Sequence, residues 1–294
     1  MRRLALLAVL ALAGCGGSER DALTWAPPRI DSPSVTWDVP ATGGYLERGP
    51  DVDCRVQLPR APVAGRIQVV GCHDVVVVGG QVRVPRLDPS RETPAIALNG
   101  FTGTAHLEGL LLQGPGMSDG IHVNSAAPGS VAQIENVYIG DLHLSSESAQ
   151  HPDAIQTWTG PHAMRIDKLT AAGLQGLNLD PANEPVDGVR HPSAVIDIRR
   201  TNVRLDESAQ PGRQCFASYR TPRYARAMTR LQDVYCAHAR TEAWASTLFP
   251  RSDVDPSWWG FLPGHGGVRQ GVPPGGDELS PADVGVDYRS PGYA

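Results

Sequence analysis

Lysine is nearly absent: of 26 basic residues only Lys168 is not arginine, so almost every cation is a permanently charged fork donor. A lysine general base has a single candidate. Also missing is any basic run, and the formal net charge is −5, which excludes a nucleic-acid footprint built on clustered cations. No apolar stretch is long enough to span a bilayer, since the one hydrophobic run ends at Ala13. Between the later apolar segments there is no amphipathic stretch of the length that crossover helices require. The sequence contains no G-x-S-x-G elbow, H-E-x-x-H, phosphate loop or dinucleotide fingerprint. Neither C-x₂-C nor clustered Cys/His spacing occurs, which argues against a zinc site.

What is present begins with an export signal. Met1-Arg2-Arg3 precedes an apolar stretch from Leu4 to Ala13, the charged and hydrophobic regions of a signal peptide over residues 1–14. Removing Cys15 leaves Cys54, Cys72, Cys215 and Cys236, an even number in an exported chain, so two disulfides are expected. Three connectivities exist, and proximity favours Cys54–Cys72 and Cys215–Cys236. Residues 15–40 carry several prolines with little periodicity and read as a tether.

Short Val-, Ile- and Leu-rich segments bounded by turn residues then follow. Leu107-Glu108-Gly109-Leu110, Ile134-Glu135-Asn136-Val137, Ile166-Asp167-Lys168-Leu169 and Leu231-Gln232-Asp233-Val234 share one frame: apolar, polar, turn former, apolar. A second frame follows the earlier members: Asp119-Gly120-Ile121-His122, Asp153-Ala154-Ile155-Gln156 and Gln175-Gly176-Leu177-Asn178. Two phase-locked strand columns joined by loops of varying length describe a stacked coil, an all-β parallel solenoid forming one domain over residues 41–249. An antiparallel sandwich or barrel is the competing fold. Tyr224, Met228, Leu231 and Tyr235 also fit a helical stripe, but Ala227-Met228-Thr229-Arg230-Leu231 echoes Ala163-Met164-Arg165-Ile166 and favours another coil. The Pro/Gly-rich residues 250–294, with Trp258, Trp259 and Phe261, are expected to fold over the open end of the stack.

Alternation within a strand turns His122, Gln156 and Asn178 outward as one column, with Asn124, Trp158 and Asp180 as a second. Amides beside an aromatic suit a sugar, whose hydroxyls need donors and acceptors and whose C–H faces pack on a ring. At the strand starts Asp119 and Asp153 would lie within the separations that glycoside hydrolases use, or could hold Ca²⁺ for a lyase. The segment His151-Pro152-Asp153-Ala154-Ile155-Gln156-Thr157-Trp158, with Arg165 close behind, is the densest in chemistry. On these grounds Asp153, His151 and Asp119 are the catalytic candidates. His122, Asn124, Gln156, Trp158, Asn178, Asp180 and Arg165 are the substrate-binding candidates.

Two resemblances extend this reading. Leu12-Ala13-Gly14-Cys15 resembles the lipobox of bacterial lipoproteins, which implies that Cys15 is acylated, becomes the first mature residue and anchors the protein in the cell envelope, the outer membrane where one exists. The paired frames over roughly residues 63–245 resemble the right-handed parallel β-helix of the pectin-lyase-like superfamily, implying an extracellular polysaccharide as partner and Ca²⁺ as cofactor if the protein is a lyase. The H-P-D-x-x-Q-x-W string is similar to one in bacterial β-helix proteins of no established activity. The chain departs from polygalacturonase-like hydrolases in having no Asp-Asp pair, Gly-His-Gly or Arg-Ile-Lys. The expectation is therefore a monomeric, envelope-anchored β-helix that binds, and in one version hydrolyses or eliminates, a polysaccharide. A non-catalytic adhesin, glycan-binding module or scaffold is the alternative.

Overall fold

The computed structural model describes residues 22–31, 33–85, 93–142, 152–179, 195–206, 214–217, 228–238, 248–249, 268–276 and 278–293. In chain order its strands are β1 (Ser34–Asp38), β2 (Gly44–Arg48), β3 (Asp53–Gln57), β4 (Ile67–Gly71), β5 (Val75–Val78), β6 (Gln81–Arg83), β7 (Pro94–Asn99), β8 (Thr104–Glu108), β9 (Leu111–Gln113) and β10 (Asp119–Asn124). There follow β11 (Val131–Leu142), β12 (Asp153–Thr157), β13 (Ala163–Gly173), β14 (Gln175–Leu179), β15 (Val195–Leu205), β16 (Phe216–Ala217), β17 (Met228–His238), β18 (Leu248–Phe249) and β19 (Val268–Gln270).

The strands pass back and forth between an 11-stranded and an 8-stranded sheet, the 11-stranded sheet taking two consecutive strands at β5–β6 and β8–β9. Every named pairing is parallel, for example β8 with β11 and β10 with β12. Each circuit of the chain adds one strand position to each sheet, which is a parallel β-solenoid. No antiparallel pairing occurs among the described residues, so the sandwich alternative falls. Met228–His238 is a strand and the helical stripe is not realised.

Stacked aliphatic side chains hold the coils together. Ile67, Ile96, Ile121, Ile155, Leu177 and Phe216 occupy one register column of the 8-stranded sheet, all buried. On the opposite wall Val56, Val77, Leu107, Ile134, Ile166 and Ile198 form a second. Each such side chain contributes about 1.5–3 kcal/mol by leaving water. The turn former of the first frame has a single conformation throughout. Gly79, Gly109, Asn136, Lys168, Arg200 and Asp233 all have positive φ, and this column bends the 11-stranded sheet.

Disulfides join Cys54 to Cys72 and Cys215 to Cys236, the expected pairing. The first links β3 to the corner after β4, and the second links the corner before β16 to β17. They belong to an oxidising compartment.

Both chain ends depart from expectation. The tether read over 15–40 is shorter, because Ser34–Asp38 pairs with β3 and residues 22–31 lie across the outside of the 11-stranded sheet. Residues 278–293 run along that same outer face, where a cover for the open end was expected. The reason is chemical: that face carries buried ionisable side chains that need hydrogen-bond partners, and the two terminal segments supply them. Trp258, Trp259 and Phe261 lie outside the described residues.

Candidate functional site

Register in the 8-stranded sheet brings the first predicted column together. His122 lies opposite Gln156, and Gln156 opposite Asn178, alternating with the inward Ile121, Ile155 and Leu177. All three polar side chains are buried, at 6%, 2% and 5% exposure, so they line a closed polar seam. Within it Gln156 Nε2 and Asn178 Oδ1 have no hydrogen-bond partner, which is a costly state for a buried amide. Asn124, half-buried, donates to Asn99 Oδ1 at 2.9 Å and accepts from the Trp158 and Thr159 N–H groups. Trp158, just beyond β12, is 42% exposed and is the large aromatic that this part of the sheet offers to solvent.

The carboxylates at the strand starts are also buried. Asp119 accepts from the Asp153 N–H at 2.8 Å through Oδ1, and through Oδ2 from Ser118 Oγ at 2.9 Å. His122 Nε2 lies 3.0 Å from that same Oδ2. With neutral imidazole this fixes the proton on Nε2 and leaves Nδ1 as an acceptor. Asp119 is thus an orienting group, and His122, expected only to touch sugar, gains the geometry of a base. Asn178 Nδ2 points at Asp153 Oδ2 across 3.4 Å. Ser118 was not among the candidate site residues; its adjacency to Asp119 was the signal available.

Ca²⁺ does not fit the Asp119/Asp153 pair, because both Asp119 oxygens already accept from N–H or O–H donors, whereas the ion wants six or more oxygen ligands. Arg165 is not at this face. It lies in β13 of the other sheet, its guanidinium 6.0 Å from the Trp25 ring centroid, because the chain has already turned the corner after β12. His151 and Asp180 lie outside the described residues.

Among the described residues, the largest ionisable cluster is on the outer face of the 11-stranded sheet. The polar member of each first frame points outward there. Glu108, Glu135 and Asp167 stack in register on three successive coils, with His106, Gln133 and Arg165 stacked beside them. All but Arg165 are at most 1% exposed. Burial, foremost, raises the Glu135 carboxyl above its usual range, partly opposed by the Thr24 N–H that it accepts at 2.8 Å. Glu108 accepts from Tyr288 Oη at 2.7 Å and from Ser290 Oγ at 2.9 Å, and lies 2.9 Å from His106 Nε2. Burial, followed by that bond to Glu108, pushes the Tyr288 hydroxyl far above the ordinary tyrosine range. Asp167 accepts from Thr24 Oγ1 and is clamped by Arg200.

A smaller group, Asp53, His73 and Asp74, brings three ligand atoms within 4.8 Å of one another beside the Cys54–Cys72 bridge. Its carboxylates accept the backbone N–H groups of Asp31, Asp74 and Thr104, and burial raises the Asp74 carboxyl. Those bonds account for the cluster as a corner brace.

No protein-family model, curated protein or solved structure matches the chain.

Proposed function

We propose that the protein is an exported, lipid-anchored β-solenoid that binds an extracellular polysaccharide on the outer face of its 8-stranded sheet, in the manner of the pectin-lyase-like superfamily that its frames resemble. One observation carries the reading. The exposed Trp158 ring stands beside a seam of amides in which Gln156 Nε2 and Asn178 Oδ1 still have hydrogen bonds to make. An exposed indole with unspent amide donors and acceptors packed just behind it is a pairing that a sugar ring, apolar on its faces and polar at its rim, engages once those amides are uncovered. The anchor is acylated Cys15, with the outer membrane as its site where one exists, and the two disulfides agree with export.

Cleavage of the bound glycan is the second reading, and the Asp119–His122 pair beside Asp153 favours it. Here Asp119 holds His122 so that Nδ1 can take a proton, and Asp153 is the carboxylate one coil away. Burial of these groups favours the adhesin or scaffold version, which needs no proton transfer.

The test is affinity electrophoresis of the mature chain, Cys15 replaced by Ser, through gels containing neutral, amino and uronic-acid polysaccharides. At least one polymer should retard the wild type, and Trp158→Ala should weaken that retardation about tenfold. New reducing ends that vanish in Asp153→Asn, with retardation kept, would establish cleavage. Free migration through every polymer would refute binding.

A further inference from the structure

The outer face of the 11-stranded sheet poses a problem that the reading above leaves unsolved. Three carboxylates, Glu108, Glu135 and Asp167, lie one above the next at the coil spacing of about 4.8 Å and are buried under the chain's own ends. Seating two terminal segments on a sheet does not call for this. An apolar seam of the same volume does it without desolvating charge, and swapping buried ionic groups for packed hydrophobic ones is often neutral or stabilising.

The terminal segments meet the carboxylates with hydroxyl groups. Thr24 Oγ1 donates to Asp167, Ser290 Oγ and Tyr288 Oη donate to Glu108, and the Trp25 ring lies between the Arg165 and Arg199 guanidinium groups, 6.0 and 5.1 Å from its centroid. Several hydroxyls on acceptors around one flat ring are also what a bound oligosaccharide would present. The fit is incomplete. His106 Nδ1 and Gln133 Oε1, both buried in this cluster, have no partner, so the surface has more hydrogen-bonding capacity than the termini use.

The two segments are held unequally. Residues 278–293 are tied by backbone bonds, the Gly80 N–H to Gly285 O and the Gly285 N–H to Gly109 O. Around Thr24 and Trp25 the attachment is through side chains of the sheet: Glu135 to the Thr24 N–H, Gln133 to the Trp25 carbonyl, Arg200 to the Thr24 hydroxyl. No residue of 22–31 forms a strand, so this segment can leave without breaking a ladder.

We propose that the part of this face around Glu135 and Asp167, with Gln133, is a second binding surface for neutral oligosaccharides, and that residues 22–28 occupy it as an internal surrogate which the sugar displaces, while the Glu108 end stays under residues 278–293. This does not depend on the reading of the 8-stranded sheet.

The experiment is hydrogen exchange on the full mature chain, following the peptide that contains Thr24, with and without millimolar hexamers of β-glucan, xylan or chitin. One hexamer should speed exchange of the Thr24 amide at least tenfold. The response should persist in Trp158→Ala and disappear in Glu135→Gln. Thr24→Val, which removes the surrogate hydroxyl, should bind that hexamer several-fold more tightly than wild type. Unchanged exchange with all three hexamers would overturn the proposal. So would a response abolished by Trp158→Ala, which would assign it to the other face, or a Thr24→Val variant that only melts lower and gains no affinity.

Discussion

Burial decides what the ionisable side chains of this solenoid can do. The Glu135 carboxyl is raised above the 4.5 of an unperturbed glutamate, chiefly by desolvation, so the folded protein holds that proton more firmly than the unfolded chain. Its contribution to stability is complete below the ordinary glutamate range and is lost as pH rises through the raised value. Glu135→Gln should therefore lose to wild type in relative stability at pH 4 and gain on it at pH 7, as urea unfolding at both values would read. Asp167 is in a different position, its charge met by Arg200 with Nε 2.8 Å from Oδ1. Asp167 is buried but Arg200 is one-third exposed, so Arg200→Ala should cost about 2–3 kcal/mol, between the worth of exposed and buried pairs. Equal stability of Arg200→Ala and wild type in denaturant would show that Asp167 has other sufficient partners. At this scale the sequence reading went furthest where period-2 alternation applies, as in the shared register column of His122, Gln156 and Asn178. It could not foresee that these side chains are buried, because burial depends on what lies over a face and alternation reports only which way a side chain points.

At the level of elements, two repeated frames were enough to fix which strands stack on which. The pairings Leu107 with Ile134 and Ile121 with Ile155 are the alignments that the frames imply. The turn former of the first frame proves to be a left-handed residue in every coil from Gly79 to Asp233, which suits Gly79, Gly109, Asn136 and Asp233 but is imposed on Lys168 and Arg200. Gly109 is the strictest of these. A Cβ there would enter the Tyr288 ring, so Gly109→Ala pays about 1–2 kcal/mol in backbone conformation and loses the docked ring as well. Thermal melting should place it several degrees below wild type, with faster proteolysis of residues 278–293; a neutral result would mean that Tyr288 does not sit on the sheet in solution. The Cys54–Cys72 bridge closes a loop with a sequence separation of 18, and replacing both residues by Ala should cost about 2–4 kcal/mol. Arg165 shows the limit of local reading. Nearness in sequence to Trp158 suggested a shared site, but a corner lies between them and a coil sends consecutive strands to different walls.

Over the whole molecule, the solenoid has two worked faces with different characters. The 8-stranded sheet carries amides, a carboxylate–imidazole pair and an exposed indole; the 11-stranded sheet carries stacked carboxylates closed over by both chain ends. The second was the less legible. Thr24 and Asp167 are 143 residues apart and belong to no repeat, so nothing periodic announces their contact. The ends also touch each other, through the Tyr293 hydroxyl donating to the Pro28 carbonyl at 2.6 Å. Cys15 lies seven chain steps before residue 22, a reach of at most about 25 Å, so an acyl group there would hold residues 22–31 close to the membrane. The central claim is that the Trp158 face takes the polysaccharide. It is tested most directly by hydroxyl-radical footprinting of the wild-type chain with and without the polymer that retards it, reading oxidation of Trp158 against that of Tyr45, which is exposed on the distant strand β2. The account predicts protection of Trp158 with Tyr45 unchanged. Equal oxidation of Trp158 in the free and polymer-bound states would contradict it.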